Sequence, residues 1–133
     1  ALIEGNEGVI GFYNSVTEAV LWNSDDLIAV NDWGIADELT FNQHIKGSDL
    51  QNLGYTADSP DAYYHLRSRQ AFIWPYNDQA LLMGENLYED KTSVEITQID
   101  ESELITPQRV AEIHREQLAR LEAEKGPNWW VYK

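Results

Sequence analysis

The chain has 133 residues, with nine lysine and arginine side chains against 23 aspartates and glutamates, a net charge of −14 and no cysteine. A chain of this length can bury a core without a disulfide or metal staple, and the missing thiol excludes disulfides, Cys-ligated zinc, iron–sulfur clusters and thiol catalysis. An apolar fraction of 43% argues against wholesale disorder, and no apolar run approaches the ~20 residues that a membrane-crossing helix needs.

Residues 1–8 alternate small, flexible and acidic side chains and suit a fraying start. Val9, Ile10, Phe12 and Tyr13 read as a strand weakened by Gly11. Ser15 and Glu18 have capping-box spacing, so 16–22 reads either as a helix or, from its β-branched and aromatic content, as a strand. Asn23, Ser24, Asp25 and Asp26 have turn composition, and Leu27 to Val30 read as a short buried run ended by Asn31, Asp32 and Gly34.

Ile35, Leu39, Phe41 and Ile45 stand at roughly helical spacing, with Gly47 placed as the residue after the helix and Ser48 capping one further turn through Leu50 and Leu53. Ser59-Pro60-Asp61 is a stronger start signal: an N-cap hydroxyl, a proline where no N–H is needed and an acid at the positive end of the dipole. It predicts a helix through Tyr63, Tyr64 and Leu66 to about Arg69.

Residues 71–74 read as a strand stopped by Pro75, Asn77 and Asp78, with 80–83 returning antiparallel. Gly84, Asn86, Glu89 and Asp90 punctuate the chain around Leu87 and Tyr88. In 93–99, Val94 and Ile96 alternate with Glu95 and Thr97, the pattern of a half-buried strand. Thr106-Pro107 repeats the hydroxyl–proline device and opens a helix over 107–125, with Val110, Ile113, Leu118 and Leu121 as its apolar stripe. Glu112–Arg115 and Glu116–Arg120 are neighbours on its polar side. Gly126-Pro127 ends it.

The expected architecture is therefore a single α+β domain over 1–133. A small antiparallel sheet, built mainly from residues 70–100, packs against the C-terminal helix, with short helices in the N-terminal half and an aromatic tail at 127–133. The opening lacks a basic-then-apolar leader, and Ala1 is a residue type often exposed when an initiator Met is removed. The expectation is a soluble protein of the cytoplasm or of a virion. The composition (acidic, cysteine-free, aromatic, motif-poor) has the look of small proteins encoded by phages or mobile elements.

The charge imbalance lies at the front. Between positions 1 and 66 Lys46 stands alone against eleven acids, so that half carries −10 of the −14. Such a field repels phosphate backbones and anionic membranes and attracts basic protein surfaces, so direct contact with nucleic acid or membrane is not expected. The same charge would also serve solubility alone. Asp25, Asp26, Asp32, Asp37 and Glu38 are the candidate contacts to a basic partner. Trp129, Trp130 and Tyr132, beyond the helix stop, are candidate anchors, because aromatic side chains carry interface energy.

No motif identifies a reaction. Tyr63-Tyr64-His65-Leu66-Arg67-Ser68-Arg69 gathers one imidazole and two guanidinium groups; on a helix His65 and Arg69 would share a face and could act on an anion. The simpler reading is that the arginines neutralise nearby acids. His44, His65 and His114 have no metal-ligand spacing, and the acids around Gly34 lack the alternate spacing of a calcium loop, so neither a metal nor a cofactor is expected. The leading expectation is a non-catalytic acidic protein-binding module of the inhibitor or immunity type. The alternative is an assembly subunit, as of a virion, anchored by its tail on copies of itself; the third is a small enzyme using His65 with Arg67 and Arg69.

Overall fold

The computed structural model describes residues 2–15 and 20–127. The chain divides into two compact units, one of Ala1–Val20 with Ile105–Lys133 and the other of Leu21–Leu104. The architecture is α+β: a four-stranded antiparallel sheet, a C-terminal helix and short N-terminal helices.

The first unit carries two helices. α1 (Gly5–Ser15) occupies the stretch expected to be a strand, and its Val9, Ile10, Phe12 and Tyr13 side chains are exposed. Consecutive apolar residues suit either structure, and here Gly11 interrupts a helix rather than a strand. α3 (Pro107–Lys125) has the expected bounds. The Thr106 side chain accepts a hydrogen bond from Arg109 N at 3.2 Å, Pro107 takes the first turn, and Gly126 ends the helix at φ 85°, a conformation that suits glycine. Its ion pairs are Arg109 with Glu112 (3.0 Å) one turn on and with Glu116 (3.4 Å) two turns on, and Arg120 with Glu124 (4.0 Å); they are not the pairs expected. No residue of α3 is buried, and Ile113 and Leu118 of its stripe are exposed.

The second unit is the sheet. β1 (Val20–Asn31), β2 (Gly34–Lys46), β3 (Tyr63–Pro75) and β4 (Asn86–Ile99) lie in that order, so the sheet extends well into the N-terminal half. Both helices expected over 35–45 and 59–69 are strands. In β2 the apolar Ile35, Leu39, Phe41 and Ile45 all fall on odd positions, and the register pairs them with the even positions of β3: Trp74, Gln70, Ser68 and Tyr64. That is period 2, hidden in the sequence because Asp37 and Gln43 occupy the same face. Ser59-Pro60-Asp61 forms a turn instead of a helix start: Ser59 Oγ accepts from Asp61 N at 3.3 Å, and the Tyr64 hydroxyl accepts from Ser59 N at 3.0 Å.

The core sits on the odd face of β2. Ile45, Tyr64 and Leu66 meet Leu50 of α2 (Gly47–Asn52), which is fully buried, with Tyr55, Ala57, Ala62 and Ile96 around them. Gly47 begins α2 rather than following a helix. Its N–H donates to Ala62 O at 2.8 Å, and a Cβ there would lie 2.0 Å from Ser59 O, so the chain passes too close for any side chain.

The return expected over 80–83 is only a bridge between Tyr76 and Leu82 within a loop. Asn77 organises that loop by accepting from Gln79 N and Leu81 N at 3.0 and 2.9 Å. The true partner of β3 is β4, which takes in Leu87 and Tyr88. Val94 and Ile96 against Glu95 and Thr97 alternate as expected, with Ile96 opposite Leu66 and Thr97 opposite His65. The ladder then jumps from Arg67–Glu95 to Arg69–Asp90, so three extra residues of β4 loop out. The Asp90 carboxylate accepts from Thr92 N and Thr92 Oγ1, and Ser93 Oγ accepts from Arg69 N at 2.7 Å. Lys91 reaches from this excursion to the Tyr55 hydroxyl at 3.2 Å and pairs with Glu89.

Candidate functional site

Two regions of the sheet concentrate polar chemistry. The first is the face opposite the core. Because β3 is a strand, Tyr63, His65, Arg67 and Arg69 all point to this face, where a helix would have aligned His65 with Arg69 but not all four. His44 lies directly across from His65, with ring centroids 5.5 Å apart. The Trp22 ring stacks on His65 at 5.3 Å and 23° and stands edge-on to His44 at 4.9 Å. No sequence spacing joins 44 to 65; only the strand register does.

Asn42, buried in the sheet, fixes the tautomer of His65. Its Nδ2 donates to Thr40 O (3.0 Å), Ser24 Oγ (3.1 Å) and Trp22 O (3.4 Å). Two of these are backbone carbonyls, which can only accept, so Oδ1 must face His65 Nε2, 3.0 Å away. Nε2 therefore carries the proton, and the lone pair of the neutral ring sits on Nδ1. Burial pushes the His65 pKa below the ordinary imidazole value, and the Arg67 guanidinium pushes it the same way. Burial also lowers that of His44, with His65 adding to the effect and Glu103 opposing it. Both shifts favour the neutral ring.

The guanidinium groups beside them are engaged: Arg67 pairs with Glu95 at 3.6 Å and Arg69 with Glu38. The cluster is thus a set of rings and ion pairs held mainly by one another. Among the described residues no group of three or more His, Asp or Glu side chains is placed to hold a metal ion.

The second region is the β1 edge with the β1–β2 turn. Asp25 lies within β1, not in a turn, and has φ 59°, a left-handed conformation that aspartate tolerates better than most residues. Asp26 follows it. Asp32 occupies the two-residue turn, where Asn31 Oδ1 accepts from Trp33 N at 2.9 Å. Between these acids, the run expected to be buried is open: Leu27, Ile28 and Val30 are 68%, 63% and 73% exposed, and Trp33 is exposed beyond them. Asp25, Asp26 and Asp32 are therefore brought together with an apolar strip.

Asp37 and Glu38 are placed differently. Asp37 is 6% exposed on the core face of β2, directly opposite Phe72, and its Oδ1 has no hydrogen-bond partner among the described residues. Burial raises its pKa above the ordinary carboxylate value, and the neighbouring Asp26 raises it further. Gln70, opposite Leu39, likewise leaves Oε1 unpartnered. Glu38 is on the other face in its ion pair with Arg69. Trp129, Trp130 and Tyr132 lie outside the described residues.

Comparison of the chain with protein-family models, with curated proteins and with solved structures found no match in any of the three.

Proposed function

We propose that this chain is a non-catalytic acidic protein-binding module, of the inhibitor or immunity type, which docks on a basic surface of a partner protein. The observation that carries this reading is the strip of exposed Leu27, Ile28 and Val30 on β1, with Asp25 and Asp26 at one end and Asp32 at the other. An apolar centre with a charged rim is the composition of a protein–protein contact. The acids supply steering, and in the first 45 positions no lysine or arginine opposes them.

The test is association kinetics with the partner isolated from the native source. The on-rate is expected to fall steeply between low salt and 0.5 M, where the Debye length is only about 4–5 Å. Reversing Asp26 and Asp32 to lysine should slow association while leaving the fold intact. An on-rate indifferent to salt and to these reversals overturns the reading.

A second reading is an assembly subunit. It is favoured by the exposed apolar side chains of α1 (Val9, Ile10, Phe12) and of α3 (Ile113, Leu118). Light scattering on the purified chain separates the two: a monomer that captures one basic partner supports docking, and self-association that is lost on deleting residues 128–133 supports assembly.

A further inference from the structure

Among the described residues the sheet has two edges, β1 and β4, and they are not equivalent. An exposed edge is a row of unpaired backbone groups, and proteins blunt such rows with bulges, lysines and prolines. The β4 edge is blunted in this way, since its ladder is broken by the three-residue excursion that carries Lys91 across to Tyr55. The β1 edge is not. After the single left-handed residue at Asp25, positions 26–31 continue as strand with no proline, glycine, lysine or arginine.

Leu27 and Ile28 are adjacent, so they point to opposite faces, yet both are more than 60% exposed. A strand laid alongside this run would therefore find apolar contacts above and below it as well as a row of N–H and C=O groups that no described strand pairs with. The charge decides what that strand is. Two copies of β1 paired antiparallel about Ala29 would set Asp26 against Asp32 at both ends, like charges facing each other in a segment with no cation to relieve them.

Resting on the docking reading above, we propose that the outer edge of β1 takes up an extended basic segment of the partner as a fifth strand. That segment would place lysine or arginine opposite Asp25, Asp26 and Asp32, and β-branched residues over Leu27, Ile28 and Val30. Main-chain hydrogen bonds would provide the attachment and the acids its selectivity.

The probe is a capped peptide of about six to eight residues, a typical strand length, with lysines at its two ends and consecutive valines between them. Its control has the same charge but proline in place of the central valines, which removes ladder donors. Binding to the full chain is followed by calorimetry and by amide hydrogen exchange read residue by residue. The expected result is binding of the first peptide, protection of alternate amides over 26–31, and roughly three- to tenfold weaker binding for each donor removed. Asp26→Lys with Asp32→Lys should abolish it.

Equal binding of the two peptides overturns strand addition while leaving acidic docking in place. Binding that survives the Asp26 and Asp32 reversals, or protection that appears on β4 instead, overturns the assignment of the edge. Dimerisation through β1 without any peptide overturns the choice of occupant.

Discussion

Replacing Asn42 by alanine tests how the polar face is held. Asn42 is 5% exposed and joins three structures: β1 through Trp22 O and Ser24 Oγ, its own strand through Thr40 O, and β3 through His65. The contact at 3.4 Å is long and contributes least, and Ser24 can turn to water at its half-exposed position. The Thr40 carbonyl then loses one donor, and the His65 Nε2–H is left without its partner. A stranded donor costs about 1–3 kcal/mol, so Asn42→Ala should destabilise the sheet by roughly that amount. At this chain length that corresponds to a fall of roughly 4–12 °C in the melting midpoint. Thermal melts followed by circular dichroism measure it. Asn42→Asp is the companion variant: it keeps the shape, removes the donor and sets a carboxylate beside His65, whose pKa should rise. Nitrogen-15 NMR of the imidazoles reads that shift and the tautomer directly. A loss below about 0.5 kcal/mol, the size of an ordinary surface change, would refute the reasoning. So would a His65 ring protonated at Nδ1 in the parent protein.

Three further outcomes follow from the same geometry. Leu50→Ala empties a fully buried position in the core and should cost about 3–5 kcal/mol, measurable by urea titration. Gly47→Ala would force a Cβ to within 2.0 Å of Ser59 O and 3.0 Å of the Tyr64 ring, so α2 must shift off the 59–62 turn; a melting midpoint within a degree or two of the parent would contradict that. The third outcome concerns pH. Because His44 and His65 hold protons less readily in the fold, the unfolded chain binds more protons below about pH 6.5, and stability should drop as pH falls through that window. Asp37 acts in the opposite sense: its raised pKa gives stability at low pH that is lost as pH rises, so Asp37→Asn should raise the melting midpoint at pH 7 and change little near pH 3. Glutamine at both histidine positions should flatten the slope between pH 6.5 and 5.

The parts of the fold legible in the sequence were those governed by local chemistry. Thr106-Pro107 and Gly126 bound α3 because a cap, a ring-locked φ and a left-handed residue each act within one turn. Val94 to Thr97 were legible because nothing interrupts their alternation. What misled was polar residues on the core face. Asp37, Ser68 and Gln70 are buried among Leu39 and Phe72, so β2 and β3 do not show the apolar alternation that marks a strand. Ser59-Pro60-Asp61 is equally good chemistry for a turn and for a helix start, and the tyrosine hydroxyl that decides between them comes from Tyr64, inside the strand itself. The candidate site divides the same way. Its acids were visible as charge, but the histidine pair exists only through the β2–β3 register, and the exposure of Leu27 to Val30 depends on β1 being an edge.

The excursion in β4 also separates two halves of a strand that would otherwise be locked together. The ladder from Tyr63–Ile99 to Arg67–Glu95 and the ladder from Arg69–Asp90 to Ile73–Asn86 are each fixed by β3, and the residues between them are free of that register. A residue gained or lost over 91–94 can therefore be absorbed without turning Leu87 or Ile96 to the wrong face. The same change in β3, which is paired on both sides, would slip two ladders at once. Drift in chain length is thus tolerated at one position of the sheet and penalised at its centre, and a library of single-residue deletions scored for folding would show a short permissive window at 91–94 flanked by intolerant strands.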